Sequence, residues 1–280
     1  MKKINNQHFT GERALFQTSQ SEIDNCVFDD GESPLKEACE LEISNTVFGW
    51  KYPLWYGKQI KVRDSRFEQM GRAGIWYTQD SSFENIDFIA PKGFRKCQRI
   101  SLKNIDFSDA EETLWWNDEV VLENITAKNG SYFGMGSSNM KIRNLNLTGD
   151  YPFDGAKHIL IQDSKLISKD AFWNCEDIRI VNSTIEGEYF AWNSKNIVLE
   201  NCRIKSHQGF CYQDGITLIN CQVIDTDLAF EYCQNIRAEI VTSIDSVKNP
   251  KSGFISAKGI GQIIFDDEKI DKSKTIIEVR

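Results

Sequence analysis

Two kinds of side chain recur in this sequence at intervals suited to chemistry. Trp55, Trp76, Trp115 and Trp173 stand at matching places in a repeating segment, and Arg95, Asp154 and Glu231 hold the same place in other copies. Tyr132 and Tyr189 fall two residues before that place and point the same way in an extended strand. Aromatic faces pack against the apolar faces of sugar rings, while carboxylates and guanidinium groups bond sugar hydroxyls. Trp55, Trp76, Arg95, Trp115, Tyr132, Trp173, Tyr189 and Glu231 therefore form a candidate ligand strip, with an oligosaccharide as the expected ligand. The second kind is the titratable pair. Asp170 and Glu188 fall at equivalent places in neighbouring copies, Asp154 lies one copy earlier, and His207 and Asp227 match in the next two. Acid–base cleavage of a glycosidic bond uses two carboxylates roughly 5 to 10 Å apart. Asp154, Asp170, Glu188, His207 and Asp227 are thus the candidate catalytic groups. With 41 acidic residues, register alone also brings such pairs together.

The repeat that positions these residues reads apolar, spacer, apolar, spacer, then Asn or Asp. Its anchors are Asn25, Asn45, Asp64, Asn85, Asn104, Asn124, Asn144, Asp163, Asn182, Asn201 and Asn220, at intervals of 19 to 21 residues. The residue two before each anchor is always apolar, from Ile23 to Leu218. Alternation before the anchor is strand period. After it, apolar residues fall at the first and third positions, so the period slips by one. A flat strand would then turn its core residues outward, and the chain must bend at the anchor. Asn and Asp tolerate the left-handed conformation that such a bend uses, and stacked Asn side chains can bond along the column. A third apolar column lies eight to eleven residues after the anchors: Leu54, Ile75, Phe94, Leu114, Phe133, Phe153, Phe172, Phe190, Phe210 and Phe230.

Three short strands per coil of 19–20 residues, with no helical period, describe an all-β, single-stranded, right-handed parallel β-helix, a solenoid of about 11–13 coils. A leucine-rich repeat is the rival, but it has one strand per repeat and a different Asn spacing. One domain over residues 1–280 is expected: residues 1–20 as a cap or partial coil, 21–240 as regular coils, and 241–280 as C-terminal cap strands. Strand alternation directs the aromatic column two residues beyond the third core column (Tyr56, Tyr77, Trp116, Trp192, Tyr212, Tyr232) toward the core.

Composition narrows the function classes. Lys and Arg number 33 against 41 Asp and Glu, a net charge of −8, which disfavours nucleic acid or an anionic membrane as partner. No apolar stretch is long enough to span a membrane. No apolar run follows the N-terminal lysines, so no signal peptide is read and a cytoplasmic location is expected. Eight cysteines without CxxC spacing read as buried free thiols, not as a disulfide framework or zinc site. No metal site and no cofactor are expected.

The h-x-h-x-N anchors from Asn25 to Asn220, with Phe28, Phe48, Phe67, Phe88 and Phe107 three residues after five of them, resemble the right-handed β-helix proteins of the pectin-lyase-like superfold. The aromatic segments GIWYTQD, TLWWNDE, AFWNCED and YFAWNSKN look more narrowly like a bacterial family, domain-of-unknown-function 3737. The resemblance implies fold and leaves activity open. Polygalacturonase-like enzymes carry NTD and GHG motifs that are missing here. Arg203-Ile204-Lys205 matches RIK, yet Ile204 is a core residue; His8, His158 and His207 are the only histidines, and Asp29-Asp30 and Asp266-Asp267 lie near the ends. No carboxylate group suited to a calcium site appears.

Two functions from different classes follow. One is a protein that binds, and in its enzymatic version hydrolyses or eliminates, an oligosaccharide on the aromatic and acid-lined face. The other is an intracellular scaffold without catalysis, whose strip or C-terminal strands bind another protein chain, in one version a second copy of itself.

Overall fold

The computed structural model describes residues 1–280. It holds 27 strands, no α-helix and one 3-10 turn at Lys272–Lys274. The fold is a right-handed parallel β-helix of about 15 turns. Contacts divide the chain into two compact units, Met1–Lys141 with Leu145–Leu147, and Ile142–Asn144 with Thr148–Arg280.

In the first unit, Lys2–Asn5, Ser19–Asp24, Cys39–Ser44, Lys58–Phe67, Gln79–Phe88, Gln98–Phe107 and Asp118–Ala127 pair in parallel, each with the next. The residues two before the anchors fall in one register column, Ile4, Ile23, Ile43, Val62, Phe83, Leu102 and Leu122, all buried. Every anchor has left-handed φ, from 48° at Asp64 to 55° at Asn85, Asn124 and Asn144. The bend restores the inward direction one residue late, and the side chains three residues after it build a stack. Phe28–Phe48, Phe48–Phe67 and Phe67–Phe88 have ring centroids 5.5, 4.5 and 4.5 Å apart and near-parallel planes.

In the second unit, Lys157–Gln162, Glu176–Val181, Lys195–Glu200, Asp214–Ile224, Ile236–Ile240, Gly253–Ala257 and Thr275–Val279 pair the same way. Ile161, Ile180, Leu199, Leu218, Ala238, Ile255 and Ile277 share a column.

The coils outnumber the sequence-based 11–13 because coils exist where the anchor motif fails. Lys2–Asn5 pairs in register with Ser21–Asp24, and Asn6 is left-handed at φ 52°. The motif misses this coil because Lys2 stands where an apolar residue is sought. Near the other end the register shifts after Leu218, and Ile240, which the repeat spacing puts at the anchor place, instead pairs with Cys221, the residue after the anchor. Gly259–Ile264 and Thr275–Val279 extend the sheets, pairing with Ser243–Lys248 and Gly253–Ala257. All eight cysteines are free thiols, seven of them buried.

Candidate functional site

In the first unit the third strands place the expected strip residues in one register row. Trp76 pairs with Arg95, and Arg95 with Trp115. The Trp55 and Trp76 rings stack at 4.9 Å with planes 7° apart. The Arg95 guanidinium carbon lies 4.4 Å from the Trp76 ring centre and 4.5 Å from that of Trp115, so a cation fills the row between two indoles. Tyr132 meets Trp115 edge-on at 6.4 Å. Each indole is tied to the following coil. Trp55 Nε1 donates to the Ala73 carbonyl at 2.6 Å, Trp76 Nε1 to that of Lys92 at 3.2 Å, and Trp115 Nε1 to that of Tyr132 at 2.7 Å. At the edge of the row, Glu112 bonds both Lys92 and Arg95, at 3.0 and 3.1 Å.

This row is half-buried, and its ring faces are largely taken up by neighbours in the stack. The open rings belong to the adjacent column, which alternation directed to the core. Tyr56, Tyr77, Lys96 and Trp116 instead have φ between 52° and 60°, and the left-handed turn swings them outward. Tyr56 is 48% exposed and Trp116 45%. Tyr56 and Tyr77 stack at 4.7 Å, and the Lys96 ammonium lies 5.7 Å from the Tyr77 ring and 5.8 Å from the Trp116 ring. Gly136 lets the Trp116 ring lie against the next coil, since a Cβ there would sit 2.5 Å from the indole. The inward expectation for this column is corrected in both units, for Tyr212 is exposed and Trp192 and Tyr232 are half-buried. The result in the first unit is two parallel rows in which one coil supplies Arg95 and Lys96 between aromatic coils.

In the second unit, Trp173 packs on Trp192 at 5.7 Å, Trp192 on Tyr212 at 5.1 Å, and Tyr212 on Tyr232 at 5.2 Å. Tyr189 meets Trp192 edge-on at 5.8 Å. Asp170 and Glu188 are not equivalent. Asp170 pairs with Tyr189 and Ala171 with Phe190, the same offset of 19 residues that holds from Leu166 opposite Ile185 to Glu176 opposite Lys195, so the 18-residue match of Asp170 to Glu188 is off by one; the Glu188 and Tyr189 amides both donate to the Lys169 carbonyl. Asp170 is only 2% exposed and its Oδ1 has no bonding partner; the Ser168 hydroxyl and Trp173 Nε1 in the same turn have none either. Burial pushes the Asp170 carboxyl above its ordinary range, against the opposing pull of the Tyr151 hydroxyl and the Lys169 charge. Lys169 pairs with Glu188 at 3.5 Å, and the negative charge of Glu188 raises the lysine.

The other candidates are placed separately. Asp154 accepts from Asn174 at 3.0 Å, within a ladder of corner side chains. His207 and Asp227 do meet, Nδ1 to Oδ1 at 2.9 Å, and Asp227 also accepts the Gln208 amide. Glu231 is buried, bonded by Gln208 at 2.6 Å and Lys248 at 3.1 Å. Beside it, burial and the Glu231 charge push the Cys211 thiol up to about 12. No group of three or more His, Cys, Asp or Glu could hold a metal ion, and no helix is long and apolar enough to cross a membrane.

Residues 2–278 match the family described as protein of unknown function DUF3737. The chain belongs to that family. No curated protein matches it. Among solved structures, the DUF3737 chain is similar to PfbA, a surface adhesin of Streptococcus pneumoniae, at 12% identity and a TM-score of 0.43, covering 92% of this chain and 81% of the adhesin. It is similar to the A-module of the mannuronan C-5 epimerase AlgE4 of Azotobacter vinelandii at 8% identity and a TM-score of 0.40, covering 99% and 88%. It is also similar to tailspike protein 3 of bacteriophage CBA120 at 11% identity and a TM-score of 0.39, covering 100% of this chain and 55% of the tailspike.

Sequence reasoning overlooked Lys96 as a partner of the aromatic rows in this DUF3737 protein, because a lysine breaks an aromatic column. The available signal was position: Lys96 stands where Tyr77 and Trp116 stand in the flanking coils.

Proposed function

We propose that this protein binds an oligosaccharide on the double aromatic row of the first unit. One observation carries the reading: Tyr56 and Trp116 stay open to solvent while stacking and hydrogen bonding fix the rows they belong to. Rings ordered before binding lose little freedom on contact, which favours association. Sugar rings would lie on Tyr56, Trp116 and the open edges of Trp55 and Trp76. Hydroxyls would bond the Lys92–Glu112–Arg95 group, whose charged atoms already lie within 3.0 to 3.1 Å of one another. The remaining proposed contacts, Trp173, Tyr189 and Glu231, lie in the second unit and offer less, since Glu231 is buried and engaged. A separate processing site would lie within the second unit at Asp170, because a buried carboxyl with a raised pKa suits a proton donor.

Titrating a panel of oligosaccharides while following tryptophan fluorescence tests the proposal. A saturable change with at least one sugar, weakened about tenfold or more in Trp116→Ala, is expected. Silence toward every sugar would sink it. New reducing ends in the bound sugar would mark such processing. The same exposed rings also suit a partner chain. On that second reading the solution mass rises with protein concentration, and a concentration-independent monomer counts against self-association.

A further inference from the structure

The outward face of the long strands in the first unit carries a feature that the aromatic rows do not explain. Three residues before successive anchors stand Lys61, Ser82, Ser101, Val121 and Lys141. Lys61 pairs in register with Ser82, Ser82 with Ser101, and Ser101 with Val121. Short side chains at the middle of this column and long ones at both ends leave an open groove of about 1190 Å³. Its lining has the opposite sign to the chain as a whole. Lys58, Lys61, Arg99 and Lys141 face Asp80 and Glu119, whereas the full sequence has 33 basic against 41 acidic residues.

How these charges are already engaged narrows the ligand. Arg99 directs its fork at Asp80, with Nη2 to Oδ2 at 3.2 Å and a second bond from Nε to Oδ1. Lys61 bonds Glu42 at 3.2 Å. Lys58 and Lys141 form no ion pair. A planar carboxylate is best met by a free arginine fork, and the only fork in the groove is occupied. Lysine ammonium groups act as point charges that suit phosphate or sulfate. The Ser82 and Ser101 hydroxyls on the floor can donate to and accept from a neutral middle section. From the coil of Lys61 to that of Lys141 is four coils, roughly 19 Å at ~4.8 Å per parallel strand.

We propose that this groove binds an elongated ligand bearing phosphate or sulfate groups near both ends, held by Lys58 at one end and Lys141 at the other, over a serine floor. The strand backbone sets the spacing, which favours an oligomer over a single small anion. The site is independent of the aromatic rows and of the sugar-binding reading.

Calorimetric titration of the full chain at low salt tests it with three probes: a short inorganic polyphosphate, a dextran sulfate oligomer, and neutral dextran of the same length. Binding of polyphosphate, of dextran sulfate or of both is expected, and which one binds identifies the anion. Affinity should fall steeply as salt is added, because exposed charges are screened. The Lys58→Gln/Lys141→Gln double variant should lose about tenfold or more with an unchanged melting temperature. Trp116→Ala should bind these probes like the parent, which separates this site from the aromatic one. No heat with either anion, equal binding of neutral dextran, or full affinity in the double variant would each overturn the proposal.

Discussion

A single backbone property, left-handed φ at a non-glycine residue, decides most of what this chain does locally. At the anchors it turns the core column inward again after the period slips. At Tyr56, Tyr77 and Trp116 the same property defeats alternation and puts rings on the surface. The first case was legible because Asn and Asp mark it. The second was not, because aromatic residues do not advertise that conformation. Asp170 shows another residue-scale effect. Burial raises its folded-state pKa above the unfolded value, so the folded state favours the protonated form. Stability is therefore lost as pH rises from the unfolded pKa through the folded one. Asp170→Asn keeps the shape without the charge. It is expected to stabilise the protein above that window, on the order of 1 kcal/mol as for a single buried polar change, and to alter little at acid pH. Thermal melts across pH check this; destabilisation at neutral pH would contradict it.

At the scale of elements, the anchors act as a ladder. Asn85 donates to Asp64, Asn104 to Asn85, and Asn124 to Asn104, each at 2.9 Å. Asparagine both donates and accepts, whereas aspartate only accepts, so the run of bonds stops at Asp64, which cannot donate to Asn45; Asn45 itself donates to Asp24. Asn104 bonds on both sides, so Asn104→Ala loses two hydrogen bonds and keeps a Cβ in a left-handed corner without the polar side chain that makes this conformation tolerable for asparagine. A cost of about 2 kcal/mol is expected. Asn104→Gly loses the same bonds but not the corner, and should cost about 1 kcal/mol less than alanine. Urea denaturation of the two variants separates bonding from backbone, and an alanine variant as stable as the glycine one would refute the corner argument. The column pattern gave the register of Trp76, Arg95 and Trp115 correctly. It failed between Asp170 and Glu188, where matching the two buried phenylalanines Phe172 and Phe190 takes an interval of 18 residues, while the strands keep an offset of 19 and pair Phe190 with Ala171.

Across the whole molecule, the repeat was legible wherever Asn or Asp holds the corner, and illegible from Ile240 onward, where strands pair without it. The row of Trp55, Trp76 and Trp115 was legible in the sequence, yet the accessible rings are those of the neighbouring column. The groove of the long strands gave no sequence signal, since it arises from two serines placed in register between lysines. A net charge of −8 likewise hides a lining of opposite sign. The outward aromatic rows are proposed to form a rigid face whose open rings receive a sugar. The indole N–H resonances of the seven tryptophans report on it most directly, because Trp55, Trp76 and Trp115 are bonded to backbone carbonyls and Trp116 has the most exposed ring of the four. On titration with the oligosaccharide panel, a binding sugar is predicted to shift Trp116 most while the three bonded indoles stay protected from hydrogen exchange. Seven resonances unmoved by every sugar would contradict the account.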